Sequence, residues 1–232
     1  MKRYIITLLL ALVVPLYGAD TTSRTEKIYR IMPVGDSITE GGNTFSVYRY
    51  PLWEKLKSAG YHIEYVGSRT SNSPAGPLKH EGHGGKNAEF LATVVPNVFR
   101  QHPADIVLIH AGHNHSVEEQ PVPTIVAAIE SMIAEVRTVN PHVIVLVAQV
   151  IPSGKLPKYS YIPALNEALA KMVERLNTSD QPVIIVNQAE GFDPNTDTIQ
   201  DKVHPNAGGA EKMATRWFDA LTRVLEKPTQ HP

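Results

Sequence analysis

Ser37 stands in the stretch RIMPVGDSITEGGNTF, residues 30–45, where an apolar run breaks into a glycine-rich loop. A serine at such a turn can hold its hydroxyl out as a nucleophile, with the following amide N–H groups turned towards the same point. It can equally cap a helix that starts there, and nothing within the stretch decides between the two. Far along the chain, DKVHP sets Asp201 three residues before His204, just ahead of a helical pattern beginning near Asn206. At that spacing a carboxylate can accept from one imidazole nitrogen and turn the other towards a third group, as a general base and its orienting acid require. The plainer alternative makes Asp201 or Asn206 a helix cap and leaves His204 at the surface. AGHNH supplies Asn114, a neutral amide donor suited to a developing oxyanion. GHGG supplies Gly84 or Gly85, where backbone N–H groups can approach a ligand with no side chain between. Each piece is ordinary alone; together they hold a nucleophile, a base, an orienting acid and oxyanion donors.

For these residues to meet, the elements between them must bring four distant loops to one edge. Apolar, β-branched runs at residues 28–34, 61–66, 105–110, 142–150 and 182–187 are each bounded by Gly, Pro, Asn or charge and read as buried strands. Helical patterns at 51–59, 87–100, 124–139, 161–176 and 206–225 alternate with them. That alternation predicts an α/β fold: a five-stranded parallel sheet between two helical layers, doubly wound. In such a sheet the ligand crevice lies beyond the carboxyl ends of the strands, and all four motifs follow strands. Residues 67–87 read as one long crevice loop after the second strand.

In their order and residue types the blocks GDSIT, GHGG, GHN and DKVH resemble those of the SGNH hydrolases, also called GDSL-like esterases and lipases. The resemblance runs over nearly the whole chain after its first 19 residues. It implies a flavodoxin-like three-layer α/β/α sandwich and a Ser37–His204–Asp201 triad. It also implies an oxyanion hole made of the Ser37 and Gly85 amides and the Asn114 side chain, with Gly84 and Gly82 of the same loop as the alternatives to Gly85. The third block departs from the family pattern, which ends Asn-Asp where this chain has Asn114-His115; an acceptor carboxylate is replaced there by an imidazole that can donate or accept. Within the superfamily GDSITEGG, YRYPLW, HEGHGG and AQVIPS are similar to carbohydrate esterases of the acetylxylan esterase group. That similarity implies hydrolysis of O-acetyl groups on a small or polymeric sugar through an acyl-enzyme. A lysophospholipase or thioesterase would use the same blocks, and a non-catalytic sugar- or partner-binding domain is the alternative of another class. Tyr48 and Tyr159, with Tyr50, Trp53 and Tyr161 beside them, lie in or near the predicted crevice loops. Tyr48 and Tyr159 are read as sugar-stacking positions, although Trp53 and Tyr161 also fit core-facing helix positions.

The rest of the composition narrows the setting. The first 19 residues join a basic start, Lys2 and Arg3, to an apolar run from Tyr4 to Val14 and small Gly18 and Ala19, and read as a secretory signal. One domain is then expected over residues 20–232, secreted or periplasmic and without stable membrane association. No cysteine is present, which removes disulfides and thiolate chemistry. With 22 Lys and Arg against 23 Asp and Glu and no basic run, nucleic acid is not an expected partner. His80, His83, His110, His113 and His115 crowd the loops near His204, and HAGHNH has ligand-like spacing. Without cysteines or an acidic cluster beside it, however, the reading is triad chemistry with no metal and no cofactor. The sequence carries no statement about oligomeric state.

Overall fold

The computed structural model describes residues 27–228, so the expected signal segment lies outside the described residues. Strand β1 (Tyr29–Gly35) runs through the middle of the sheet, followed by the short turns of α1 (Ser37–Glu40) and by α2 (Arg49–Ser58). Then come β2 (Ile63–Tyr65), β3 (Arg69–Ser73), β4 (Gly76–Gly82), α3 (Ala88–Gln101) and β5 (Ile106–His110). The chain closes with α4 (Val122–Val139), β6 (Ile144–Gln149), α5 (Ile162–Leu176), β7 (Val183–Asn187) and α6 (Ala207–Leu221). Strands β2, β1, β5, β6 and β7 are parallel neighbours in that order, which is the doubly wound arrangement expected.

The near-continuous apolar strands follow from burial of both sheet faces. Met32, Val34, Val107, Ile109, Val145 and Val147 point into one core, which α3, α4 and α5 close with Leu91, Phe99, Ile129, Ile133, Leu165 and Leu169. The alternate residues Ile31, Ile106, Leu108, Leu146 and Ala148 point into the other, closed by Leu52 and Leu56 of α2 and Met213, Trp217 and Leu221 of α6. The two-residue period of the pleat thus sorts one apolar run into two cores.

Pro33 sits in this central strand, where a missing N–H ordinarily breaks a ladder. Odd-numbered residues of β1 face the β2/β4 edge: Tyr29 N–H donates to His62 O, Val66 N–H to Ile31 O, and His83 N–H to Gly35 O. Along that edge β1 pairs with β2 over Tyr29–Ile31 and with β4 over Val34–Gly35. Pro33 falls in the gap where one neighbour hands over to the other, so no ladder bond is lost.

Among the described residues the sheet has seven strands rather than the five expected. Residues 67–87 are not a plain loop: β3 and β4 form an antiparallel hairpin, Arg69 opposite His80 and Ser73 opposite Gly76. Its turn is closed by Ser73, whose Oγ donates to Gly76 O and accepts from Ala75 N–H, while Gly76 takes a left-handed φ of 96°. The hairpin escapes a periodicity reading because only Leu78, His80, Glu81 and Gly82 turn inward; the rest of its surface is polar. Its consequence is positional, since β4 delivers the GHGG loop to the carboxyl end of β1.

Candidate active site

The turn after β1 is set by a cap. Asp36 is the N-cap of α1, its Oδ1 accepting from Ile38 N–H at 2.9 Å, so the capping task falls to Asp36 and Ser37 is left free at the first helical position. Gly35 is needed because a Cβ there would lie 2.5 Å from His110 O and 2.3 Å from Thr39 Oγ1. The far end of the turn is held by the buried Arg49 guanidinium, which donates to Thr39 O at 2.6 Å and Glu40 O at 2.8 Å. In the sequence a lone arginine at a helix start gives no sign that it is buried.

Ser37 Oγ lies 2.8 Å from His204 Nε2. On the other side of the ring, His204 Nδ1 lies 2.5 Å from Asp201 Oδ2. Asp201 Oδ1 accepts from Val203 N–H and His204 N–H, both at 2.9 Å, which fixes the loop around its own carboxylate. Asn206, accepting from Gly209 N–H, caps α6, so Asp201 is free of that duty. Partial burial pushes the Asp201 carboxyl up, but the hydrogen bonds from the His204 ring and the two amides outweigh it and hold it below the usual carboxylate range. Phe45 stacks on the His204 ring with centroids 4.2 Å apart and planes 26° apart.

The three expected oxyanion donors each keep an N–H without a partner among the described residues. Ser37 N–H, at the first position of α1, has no partner among the described residues, as helix geometry dictates. Of the three candidate glycines, Gly82 N–H donates to His80 Nδ1 and Gly84 N–H to Glu40 Oε2. Only the Gly85 amide is left unpartnered among the described residues, in a left-handed turn at φ 72° with open space where a side chain would point. Asn114, itself at φ 68°, spends one amide hydrogen on Lys86 O at 3.0 Å, which leaves the second for a ligand. Glu40, not flagged in the sequence, ties the two loops together: one carboxylate oxygen takes Gly84 N–H and the other pairs with Arg69.

The remaining histidines scatter into separate structural bonds. His83 pairs with the buried Glu81 at 2.6 Å. His115 lies between Glu89 at 2.9 Å and Glu119 at 2.7 Å, and the bond to Glu89 fastens the Asn114 loop to α3. His110 and His113 stack in the interior at 5.9 Å, and His113 Nδ1 lies 3.9 Å from Asp36 Oδ2. Among the described residues no group of three or more His, Cys, Asp or Glu is placed to hold a metal ion.

Two expected substrate contacts are corrected. Tyr48 is fully buried: its hydroxyl meets Thr39 Oγ1 at 3.1 Å and its ring packs on Trp217 at 5.9 Å. Tyr159 is also buried, edge-on to His113 and Tyr161. Neither ring has a face to offer a sugar. Both flank crevice loops in the chain, but Tyr48, the N-cap of α2, and Tyr159, in the turn before α5, pack into the cores.

Residues 34–212 match the model of the GDSL-like lipase/acylhydrolase family. A family 3 carbohydrate esterase from Clostridium thermocellum superposes with a TM-score of 0.74 at 31% identity, over 85% of this chain and 99% of that one. A carbohydrate esterase family 3 structure from Talaromyces cellulolyticus superposes with a TM-score of 0.74 at 27% identity, over 84% and 97%. A multidomain esterase of Ruminococcus flavefaciens is 24% identical over 90% of this chain, and the chain spans only 30% of that relative's length.

Proposed function

Since the chain belongs to the GDSL-like lipase/acylhydrolase family and is a carboxylic ester hydrolase, we propose that it removes acetyl groups from carbohydrates through a Ser37–His204–Asp201 triad. The observation that carries this reading is the unbroken line from Ser37 Oγ through the His204 ring to Asp201 Oδ2, with links of 2.8 and 2.5 Å. His204 Nε2 takes the hydroxyl proton as Oγ bonds to the ester carbonyl carbon, and Asp201 holds the Nδ1–H tautomer and stabilises the imidazolium that forms. The negative charge moves to the carbonyl oxygen, where Ser37 N–H, Gly85 N–H and Asn114 Nδ2 receive it. As the tetrahedral centre collapses, His204 returns the proton to the departing sugar oxygen. Water then repeats the sequence on the acetyl-enzyme and releases acetate and free serine.

The sugar acetate as substrate is supported by the likeness to the two carbohydrate esterases. The basic and apolar start of the chain supports export, with the domain acting outside the cytoplasm. Rates on 4-nitrophenyl esters from two to twelve carbons test the acyl preference. The acetyl ester should be cleaved at least about tenfold faster, in kcat/KM, than the octanoyl ester, a gap of about 1.4 kcal/mol. Activity that climbs with chain length would overturn the sugar-acetate reading in favour of a lysophospholipase or thioesterase.

A further inference from the structure

The ring of Phe45, stacked on His204, also lines an open groove of about 700 Å³. The groove lies between the loop at residues 41–47, α2, β3 and the first turns of α6, next to the proposed reaction centre but containing none of its residues. Its volume falls within the range of about 300–1,000 Å³ typical of small-ligand sites. Two rings line it, Phe45 and Tyr50, and among its polar groups are the amides of Asn43 and Asn72. Three carboxylates line it too, those of Glu40, Glu54 and Glu211. Arg49, the one cation among the described lining residues, is turned inward to the carbonyls of Thr39, Glu40 and Leu78.

We infer that this groove is a subsite for an uncharged sugar residue neighbouring the acetylated one, so that the substrate is a neutral acetylated oligo- or polysaccharide rather than an isolated sugar. The inference rests on the esterase reading above and adds the chain that carries the ester. Aromatic faces beside amide and carboxylate groups match a pyranose, which shows C–H groups on its faces and hydroxyls at its rim. Tyr50 is held for this use, its hydroxyl donating to Glu54 Oε1 at 2.6 Å and its ring stacked on Trp53 at 6.4 Å. Each cation at the groove is already committed, Arg49 to backbone carbonyls, Arg69 to Glu40 and Lys55 to Glu211 at 2.5 Å, so none is left to receive a uronate, a sialic acid or a phosphate headgroup. The polar groups interrupting the walls disfavour an acyl tail, which requires continuous apolar surface.

The test compares kcat/KM for acetylated xylo-oligosaccharides of one to four units, an acetylated galacturonic acid trimer and 4-nitrophenyl acetate. From one unit to three, kcat/KM should rise about tenfold, the gain from a ring stacked in a subsite with its hydrogen bonds. The uronic trimer should remain slow. In Tyr50→Ala the ratio of trimer to 4-nitrophenyl acetate kcat/KM should fall about five- to tenfold, and in Asn72→Ala about threefold; the small ester in each ratio corrects for any loss of folded protein. Length-independent rates in a protein that still cleaves 4-nitrophenyl acetate, unchanged ratios in both variants, or preference for the uronic trimer would each overturn the subsite. A protein that cleaves none of the esters would instead overturn the esterase reading beneath it.

Discussion

Ser37→Ala is expected to lower kcat for 4-nitrophenyl acetate by about 10⁴-fold or more while the protein stays folded. The alanine has no oxygen to attack the carbonyl, and His204 and Asp201 then have no proton to move. What survives is the effect of the oxyanion donors on attack by water, which accounts for a small residue of rate in triad enzymes. The fold should be indifferent, because Ser37 caps nothing: Asp36 does so, and among the described residues Ser37 Oγ bonds only to His204. A melting temperature within a few degrees of the parent, with initial rates from the same sample, checks both halves. Retention of a tenth of the parent rate would remove Ser37 from the nucleophile's role.

The second large effect concerns acid. His80, His110 and His113 are almost fully buried, and burial pushes their pKa values down to about 3, 4 and 3. In the unfolded chain each titrates near about 6.5. Below that pH the unfolded state binds protons that the folded state refuses, so stability falls as pH drops from about 6.5 towards 4. Asp36 works the other way: burial raises its carboxyl to about 6, so the folded state takes up that proton earlier and regains stability as pH falls through 6. Three histidines against one carboxyl leave a net loss on the order of 2–3 kcal/mol per pH unit near pH 5. Set against a total stability of about 5–15 kcal/mol, that slope predicts acid unfolding near pH 4. Urea midpoints measured from pH 7.5 to 4.5 should fall steeply, and His113→Asn should flatten the curve by about half. A flat profile over that range would contradict the neutral buried histidines.

The legible part of this molecule is the part governed by burial. The five core strands and the main helices are readable because residues such as Ile31 and Met32 are apolar on both sheet faces, a pattern that surface elements do not show. The same physics hides the hairpin: Arg69, Asn72 and Lys79 face solvent, and a polar ribbon of five to seven residues looks like a loop. Ser37, His204 and Asp201 are legible through their types and their places after strands, and the structure joins them in one line of hydrogen bonds; Asn114 is read in the same way and keeps one amide hydrogen free. The choice among Gly82, Gly84 and Gly85 was not, since it turns on which amide the fold has already paired, and those partners, His80 and Glu40, are contacts across the chain. Tyr48 and Tyr159 show the limit most clearly. Proximity in sequence to a crevice loop does not say which way a ring points, and Trp217 and His113, which receive these rings, lie 169 and 46 positions away.

The central claim is that Ser37 is a nucleophile activated by His204. Its most direct measurement is intact-protein and peptide mass spectrometry after exposure to an organophosphonate probe. One phosphonyl group should appear, on Ser37 alone, with ester hydrolysis falling in step with its stoichiometry, and His204→Ala should slow the labelling by about 10²-fold or more. An unlabelled Ser37 in a protein that still hydrolyses acetyl esters, or a label on another residue that abolishes activity, would contradict the claim.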